Sequence, residues 1–236
     1  MGKVESIRNL LGMTMKKVAI CYKGIFGGKR ISNQGFEEKI LTDSRSNIKD
    51  HIEKFSSKFE NFGYDVDYYM STYRLSEKLD NVYLEELNPK FYSYIPDLFF
   101  SEEHYRIYGS WVAQFTHFKN LISGIRESGI SYDLLVFTRP DLKFHWDLNE
   151  IYPNLELDKF NIPVQHLSGN CDDNLFIFPI EYLNAFEQSI DVLLSRGGIT
   201  HEINHLLNER SVPIKWISSY VYENTEFGHN MFSFFR

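Results

Sequence analysis

The stretch "YDLLVFTRPD", residues 132–141, decides how this chain folds. Its centre, "LLVF", is an unbroken apolar run with no polar residue between the hydrophobic ones. Strands that are covered on both faces have this pattern, whereas half-exposed strands alternate apolar and polar residues. The run ends at Pro140 and Asp141, which favour a turn. The stretch therefore predicts a buried strand in a sheet with helices on both sides.

The chain before this strand alternates between strand and helix patterns. An apolar run predicts a strand at 16–22, and "YDVDYYMSTY" at 64–73 is expected to be a second strand. Helices are predicted at about 43–62, which ends at Gly63, and at 105–128, which ends near Gly129. Strands that alternate with helices are typical of a parallel sheet, because a parallel connection needs a crossover.

The second half predicts a different order of elements. Strands are expected in "NIPVQHL" and "NLFIFPI", followed by helices in "EYLNAFEQSIDVLLSR" and "THEINHLLNER" and a last strand in "VPIKWISSYVYE". Together the patterns predict an α/β fold with a Rossmann-like, mixed but mostly parallel sheet flanked by helices. We expect a single domain over residues 16–236, after an N-terminal extension at residues 1–15.

Composition narrows the range of partners. The formal net charge of the 236 residues is −7, which argues against a general nucleic-acid binder because phosphate neutralisation needs clustered Lys and Arg. The two cysteines, Cys21 and Cys171, imply no disulfide framework. No apolar run reaches the roughly 18 residues of a membrane helix. These features predict a cytoplasmic protein without a transmembrane segment; the oligomeric state is left open.

The N-terminus carries one short pattern of its own. "MGKVES" matches the signal for myristoylation of Gly2. The alternative is an ordinary extension that precedes Met15 and the first strand.

The ends of the predicted parallel strands are the places to look for a ligand, because ligands of open α/β sheets bind at the carboxyl edge. The first strand ends in "YKGIFGGKR", where Lys23 and Gly24 offer charge and close backbone approach. The third ends in Arg139 and Asp141, a cation that can grip a phosphate and an anion that can hold a divalent cation. A turn around Pro140, capped by an Arg–Asp pair, is the structural alternative.

A pair of carboxylates lies in "SGNCDDN", residues 168–174. Asp172 or Asp173, facing the Arg–Asp edge, would suit a general base that takes a proton from a hydroxyl group. Asp and Asn also favour turns through local hydrogen bonds, so a structural role is the alternative.

The segment "GGITHEINHLL", residues 197–207, contains the spacing of a zinc-protease helix. His201 and His205, four residues apart, would share one helix face, with Glu202 as the general base. A catalytic zinc also needs a third protein ligand, for which Glu223 is the nearest downstream acid. Thr200 is expected to cap a helix that begins at His201. A zinc hydrolase is therefore an alternative function.

The order of several motifs resembles one family. "VAICYKG", "DVDYYMSTY", "YDLLVFTRPDLKF", "DDNLFIFPIEYL" and "HEINHLL" are similar to motifs of GT-A-like glycosyltransferases. Such enzymes occur in bacterial surface-polysaccharide clusters and in large DNA viruses, where they serve chlorovirus-like capsid glycosylation. The resemblance implies a transferase for glycan biosynthesis that moves a sugar from a nucleotide-sugar donor to a glycan or glycoprotein hydroxyl.

The resemblance also implies roles for residues. Lys23 and Gly24 would face the nucleotide, and Ser71 and Thr72 would lie near the base and ribose. Arg139 and Asp141 stand where the family has Asp-x-Asp.

Asp173 would be the acceptor-side carboxylate, and the "HE" at residues 201–202 would line the acceptor side. The expected cofactor is Mn²⁺ or Mg²⁺ on Asp141. Because Arg139 replaces the first Asp, one metal ligand is lost and metal dependence is open, with His229 as a further ligand to consider. A non-catalytic sugar-binding protein on the same fold is the third alternative.

Overall fold

The structure is a computed structural model that describes residues 15–24, 28–31, 38–41, 45–73, 77–95, 102–145, 147–166, 168–218, 221–222 and 232–234. Predictions that concern Gly2, Glu223 and His229 lie outside these residues.

A seven-stranded sheet forms the centre of the molecule, in the order β11-β8-β10-β6-β1-β4-β5. Its strands are β1 (Lys16–Gly24), β4 (Tyr64–Tyr73), β5 (Phe91–Ile95), β6 (Leu134–Thr138), β8 (Phe160–Ile162), β10 (Leu175–Pro179) and β11 (Ile214–Trp216). Strand β10 is antiparallel to both of its neighbours, and every other pair is parallel. The α/β class and the mixed, mostly parallel sheet are therefore confirmed.

Three smaller two-stranded sheets lie outside the central one. They pair β2 (Gly28–Ile31) with β3 (Glu38–Leu41), β7 (Leu142–Phe144) with β13 (Phe232–Phe234), and β9 (Gln165–His166) with β12 (Val221–Tyr222).

The described residues also include α-helices. They are α1 (Arg45–His51), α2 (Ser57–Asn61), α3 (Glu77–Leu87), α4 (Glu102–Glu127), α5 (Leu148–Ile151), α6 (Leu183–Arg196) and α7 (Ile203–Glu209). A π-helical segment, Ile52–Ser56, joins α1 to α2, so the helix predicted at 43–62 forms with a wider turn in its middle. No helix in the described part of the chain is long and apolar enough to span a membrane.

The two faces of the sheet bury separate cores because neighbouring strand residues point in opposite directions. Val18, Ile20 and Tyr22 of β1 pack on the face that carries α1 and α2. Ala19 and Cys21 of the same strand pack on the face covered by α4, α6 and α7. Both faces of β1 are therefore covered, as its apolar run predicts.

Several elements differ from the sequence-based prediction, among them the strand expected in "NIPVQHL", which is instead β8 and β9 in two different sheets. Helix α3 and strand β5 lie where the sequence indicates only an irregular segment. In the described part of α3 only Tyr83 and Leu87 are buried, so its apolar stripe is too narrow to give a clear helical period. The predicted last strand, 212–223, is instead two strands, β11 and β12, which pair with different partners. Pairing depends on distant residues, which a local pattern does not contain.

Candidate functional site

The candidate site begins where three parallel strands end side by side. Strand β1 lies between β4 and β6, and its register places Lys23 opposite Ser71 and Tyr22 opposite Thr138. The first strand end predicted from the sequence therefore lies next to the other two. Gly24 follows Lys23 with a φ of +110°, a conformation that side chains rarely adopt. The chain can leave the sheet there because the residue is glycine.

Alternation along β4 separates two residues that the sequence grouped together. Ser71 lies on the face covered by α4, where its hydroxyl contacts two α4 side chains. Thr72 is the next residue and points to the other face, with its hydroxyl 3.4 Å from the carbonyl of Tyr73. Both side chains are buried. Only Ser71 shares a face with Lys23, so a joint role of the two side chains at one ligand is not supported.

Arg139 and Asp141 form a bidentate ion pair beyond the end of β6. Arg139 Nε donates to Asp141 Oδ1 over 2.9 Å, and Nη2 donates to Oδ2 over 2.7 Å. Burial opposes the charge of Arg139, but Asp141 outweighs it and raises the pKa of the guanidinium. The pair that was the structural alternative is thus formed. It occupies one lone pair on each oxygen of Asp141.

Lys23 lies at the predicted strand end but is buried, which is unusual for a lysine. Its side chain is buried at 2% exposure, and its ammonium lies 4.6 Å from the centre of the Phe118 ring. Among the residues that the structure describes, we find no hydrogen-bond acceptor for this ammonium. Burial lowers the pKa of Lys23, whereas Asp173 works in the opposite direction. A buried ammonium without an acceptor is costly, so this position is prepared for a ligand that brings one.

Asp172 and Asp173 accept hydrogen bonds from different kinds of donor. The carboxylate of Asp172 accepts from the main-chain N–H of Asn174 over 2.8 Å, which is the turn-forming role of an Asx residue. Asp173 is also buried, but it accepts a hydrogen bond from the hydroxyl of Thr200. Its other oxygen, Oδ1, lies 3.9 Å from His201 Nε2.

Charge around Asp173 favours its ionised form. Burial alone would raise the pKa of Asp173, but Lys23, His201, Thr200 and Arg139 together hold it well below the ordinary value of a carboxyl group. Both Lys23 and Arg139 therefore stabilise the ionised form of Asp173.

The segment around His201 differs from its prediction. Thr200–Glu202 is a 3-10 turn, and α7 begins only at Ile203. Thr200 makes no capping bond. Its hydroxyl instead lies 2.8 Å from the side-chain oxygen of Gln114 and donates to Asp173. The predicted N-cap is therefore wrong: a tertiary partner, which the local sequence does not reveal, takes the hydroxyl.

The zinc alternative finds little support in this geometry. His201 Nδ1 lies 2.8 Å from the carbonyl of Cys171, and His205 Nε2 lies 3.0 Å from Asn170 Oδ1. Glu202 accepts from Arg196 over 2.7 Å. No group of three or more His, Cys, Asp or Glu side chains within the described ranges could hold a metal ion. The side chains of the motif are thus directed to separate partners and do not converge on one point.

One residue of the site has no counterpart in the sequence-based prediction. His117, on α4, is 1% exposed, and its Nδ1 lies 2.9 Å from Ser71 Oγ. The sequence does indicate that His117 is buried. It is four residues from both Ala113 and Leu121, so it lies within the apolar stripe of the predicted helix. A histidine within a buried stripe has two reasons to be there, packing or chemistry, and the sequence does not separate them.

Several buried polar atoms near these strand ends lack partners. They are His117 Nε2, Thr138 Oγ1 and Asn174 Oδ1. Thr138 precedes Arg139, and Asn174 follows Asp173. Buried polar groups in folded proteins are nearly always hydrogen-bonded, so these three atoms are candidates for contact with water or a ligand, although other described residues carry such atoms elsewhere in the fold.

Comparison with known proteins gives a likeness of fold. The sequence matches no protein-family model and no curated protein. One similar solved structure is that of a Desulfovibrio desulfuricans G20 protein assigned as a nucleotide-diphospho-sugar transferase. The identity is 10%, the match covers 86% of this chain and 80% of that chain, and the TM-score is 0.49.

Two further structures have related names. The galactosyltransferase LgtC, in complex with donor and acceptor sugar analogues, is 8% identical over 84% of this chain and 72% of that chain, with a TM-score of 0.43. The inositol-1-phosphate CTP transferase from T. maritima is 10% identical over 92% of both chains, with a TM-score of 0.45. At these identities and TM-scores the likeness supports no conclusion about this chain.

Proposed function

We propose that this protein is a glycosyltransferase that moves a sugar from a nucleotide-sugar donor to a hydroxyl group of a glycan or glycoprotein. The observation that carries the proposal is the buried ammonium of Lys23 at the carboxyl edge of the central strand. It has no acceptor among the described residues, lies near Arg139, and is faced by the ionised Asp173. This combination suits a leaving diphosphate on one side and an acceptor hydroxyl on the other. The sequence resemblance supports the same function.

The donor end would be held by charge. The two cations, Lys23 and Arg139, can stabilise the negative charge that develops on a departing diphosphate, and such stabilisation usually contributes more to catalysis than any other single effect. Three carboxylates, Asp141, Asp172 and Asp173, act on Lys23 together with Arg139. Counted as ionised groups, three carboxylates against two cations leave one net negative charge, which would repel a diphosphate that arrived alone.

A divalent cation would correct this balance. Mg²⁺ is commonly bound through one or two carboxylates together with substrate phosphates, and Mn²⁺ also favours oxygen ligands. A single carboxylate such as Asp141 would suit that mode, although the described residues offer no cage of three protein ligands. When bound there, the cation would neutralise phosphate charge. Metal dependence therefore belongs to the proposal.

At the acceptor end, Asp173 would serve as the base of an inverting transfer. Its Oδ1 is the oxygen that does not accept from Thr200. It would take the proton of the acceptor hydroxyl while the hydroxyl oxygen bonds to the anomeric carbon. The bond from that carbon to the diphosphate oxygen breaks, and its electron pair leaves with the nucleoside diphosphate. The negative charge of a bound diphosphate would offset the positive charges of Lys23 and Arg139. The pKa of Asp173 would then rise, and Asp173 would become a better base.

A thermal-shift panel tests the proposal directly. Nucleoside diphosphates and nucleotide-sugars would be measured with and without Mn²⁺, with Zn²⁺ alone as a further arm. A ligand that binds only the folded state raises the melting temperature by mass action, so we expect a shift with one nucleotide series. Hydrolysis of that nucleotide-sugar without acceptor would then distinguish an enzyme from a sugar-binding protein. A shift with Zn²⁺ alone, and with no nucleotide, would contradict the proposal.

Variants assign the site. We expect Asp141→Ala to abolish turnover with the fold intact, whereas the double variant His201→Ala/His205→Ala should lose far less. The reverse order would favour the zinc hydrolase. A bacterial or viral setting and a cytoplasmic location stay predictions that follow from the sequence.

A further inference from the structure

His117 has one satisfied and one unsatisfied ring nitrogen. Its Nδ1 is 2.9 Å from Ser71 Oγ, while Nε2 is buried without a hydrogen-bond partner. The ring lies edge-on to Tyr73, with 4.6 Å between the ring centroids. One ring nitrogen of His117 therefore has a partner, Ser71, and the other has none among the described residues.

The contacts of Ser71 determine which nitrogen carries the proton. Ser93 Oγ donates to Ser71 Oγ over 3.1 Å, and Asn120 Nδ2, which can only donate, lies 3.4 Å away. A hydroxyl oxygen accepts two hydrogen bonds and donates one. With both acceptor positions in use, Ser71 donates its own hydrogen to His117 Nδ1.

The opposite tautomer fits worse. If Nδ1 carried the proton, the Ser71 hydrogen would have to go to Ser93 Oγ, which reverses the donor direction that the geometry of the two hydroxyls favours. The network therefore places the imidazole proton of His117 on Nε2. That makes Nε2–H a buried donor without an acceptor.

The surroundings of His117 keep the ring neutral. Burial lowers its pKa well below the usual value, and the positive charges of Lys23 and Arg139 lower it further. The register of β1 and β4 places Lys23 opposite Ser71, the residue that contacts His117. The adjacent residue, Phe118, is the one whose ring contacts the Lys23 ammonium. The ammonium of the buried Lys23 and the Nε2–H of His117, neither with an acceptor among the described residues, thus lie on the same face of the sheet.

We propose that His117 is a phosphate-binding residue, whose Nε2–H donates to an oxygen of the donor's diphosphate and whose tautomer is set by Ser71. The inference rests on the proposed function for the identity of the ligand. A neutral donor suits this place because it adds a hydrogen bond without a third positive charge beside Lys23 and Arg139. Ser71 is then a positioning residue that acts through His117, and not a ribose contact as the resemblance implies.

Binding of inorganic pyrophosphate tests the inference without any sugar chemistry. Affinities would be measured by calorimetry for the wild type, His117→Phe and His117→Gln, with Mg²⁺ present throughout. Phe removes the donor, whereas the Gln side-chain amide can place an N–H near the position of Nε2. A hydrogen bond to a charged group is worth about tenfold to a hundredfold in affinity. We expect a loss of that size for His117→Phe and a smaller loss for His117→Gln. His205→Gln, on the exposed side of α7, is the control and should bind like the wild type.

A second measurement does not depend on a variant that folds. Long-range ¹H–¹⁵N NMR correlations of the wild type report which imidazole nitrogen of His117 is protonated. We expect the proton on Nε2 in the wild type, and a mixture of tautomers in Ser71→Ala. A proton on Nδ1 in the wild type, or equal pyrophosphate affinity for the wild type and His117→Phe, would overturn the inference.

The outcomes also separate the inference from the proposed function. Turnover of a nucleotide-sugar together with unchanged pyrophosphate binding in His117→Phe would overturn only the role of His117. Pyrophosphate binding that requires His117, with no sugar transfer, would support the phosphate site and contradict the glycosyltransferase. A wild type that binds neither pyrophosphate nor any nucleoside diphosphate would contradict both.

Discussion

Two buried histidines, His51 and His117, lie on opposite faces of the same sheet and differ in where their N–H is directed. His51 Nε2 lies 2.6 Å from the carbonyl of Leu142, and because a carbonyl only accepts, His51 carries its proton there. Its ring packs against Tyr22 and Phe144, with centroid distances of 5.6 and 4.4 Å. The proton of His51 thus joins α1 to the strand that follows the site.

His117 differs in its partner and in its electrostatic surroundings. Its donor nitrogen has no acceptor among the described residues, and two cations, Lys23 and Arg139, act on it. Carboxylates, Asp50 and Asp141, are among the groups that act on His51. The comparison shows that burial alone does not distinguish a structural histidine from a functional one. His51 and His117 differ in whether the ring N–H has an acceptor among the described residues and in the sign of the neighbouring charges.

The largest effect is expected where the cation beside His117 is removed. Lys23→Met keeps the side chain's length and apolar stem but deletes the ammonium, so the diphosphate loses both its attraction and one donor. We expect turnover to fall by about 100-fold or more, measured as nucleotide-sugar consumption at saturating acceptor. Lys119→Met is the matched control, because Lys119 lies on the exposed side of α4 and pairs with Asp191 at 2.6 Å. Comparable losses in the two variants would show that charge at the site is unimportant.

Changing each histidine to phenylalanine should give opposite results for ligand binding. His51→Phe leaves the Leu142 carbonyl without its donor, so we expect the free energy of unfolding to fall by about 1–3 kcal/mol while ligand binding is preserved. His117→Phe leaves the Ser71 hydroxyl without its acceptor, so we expect the free energy of unfolding to fall by about 1–3 kcal/mol here too, but pyrophosphate binding is lost. Urea unfolding and calorimetry on the same preparations check both. If both variants bind pyrophosphate equally, the distinction between the two residues fails.

The pH dependence of stability sharpens the description of His51. Burial lowers its pKa from 6.5 to about 4 in the folded protein. Between these pH values the unfolded chain binds a proton that the folded chain does not. The stabilising contribution is therefore complete above pH 6.5 and is lost as the pH falls through 4. The shift corresponds to about 3 kcal/mol.

A pH series of urea unfolding curves measures this contribution. We expect the decline in unfolding free energy from pH 7 to pH 4 to be smaller in His51→Phe by about that amount. An identical decline in the variant and the wild type would mean that His51 titrates normally in the folded protein.

The smallest effect is expected from the outer member of the His117 network. Ser93→Ala removes one donor to Ser71 but leaves Asn120, so the tautomer of His117 should be only partly released. We expect pyrophosphate affinity to fall by about twofold to fivefold, within the range of one neutral hydrogen bond. Calorimetry detects such a change. A loss as large as that of His117→Phe would show that Ser93 itself contacts the ligand.

Much of the fold was predictable because its information is local. The apolar runs of β1 and β6 lack polar alternation, and that pattern is typical of burial on both faces. The long helix α4 also follows from its period. The same reasoning places Lys23 and Arg139 at one edge, since the carboxyl ends of parallel strands meet there.

The sequence by itself determined that a buried, mostly parallel sheet would form and which strand ends would carry charge. Only the tertiary structure decided how those groups are paired. In the folded chain Asp172 and Asp173 make different contacts, and Arg139 pairs with Asp141. The Thr200 hydroxyl donates to the carboxylate of Asp173 instead of capping a helix. Folding also brings His117 from α4 to Ser71 on β4. The physical reason is that periodicity records which side of an element is buried, whereas hydrogen bonds and pKa values depend on atoms that are distant in the chain and adjacent only after folding.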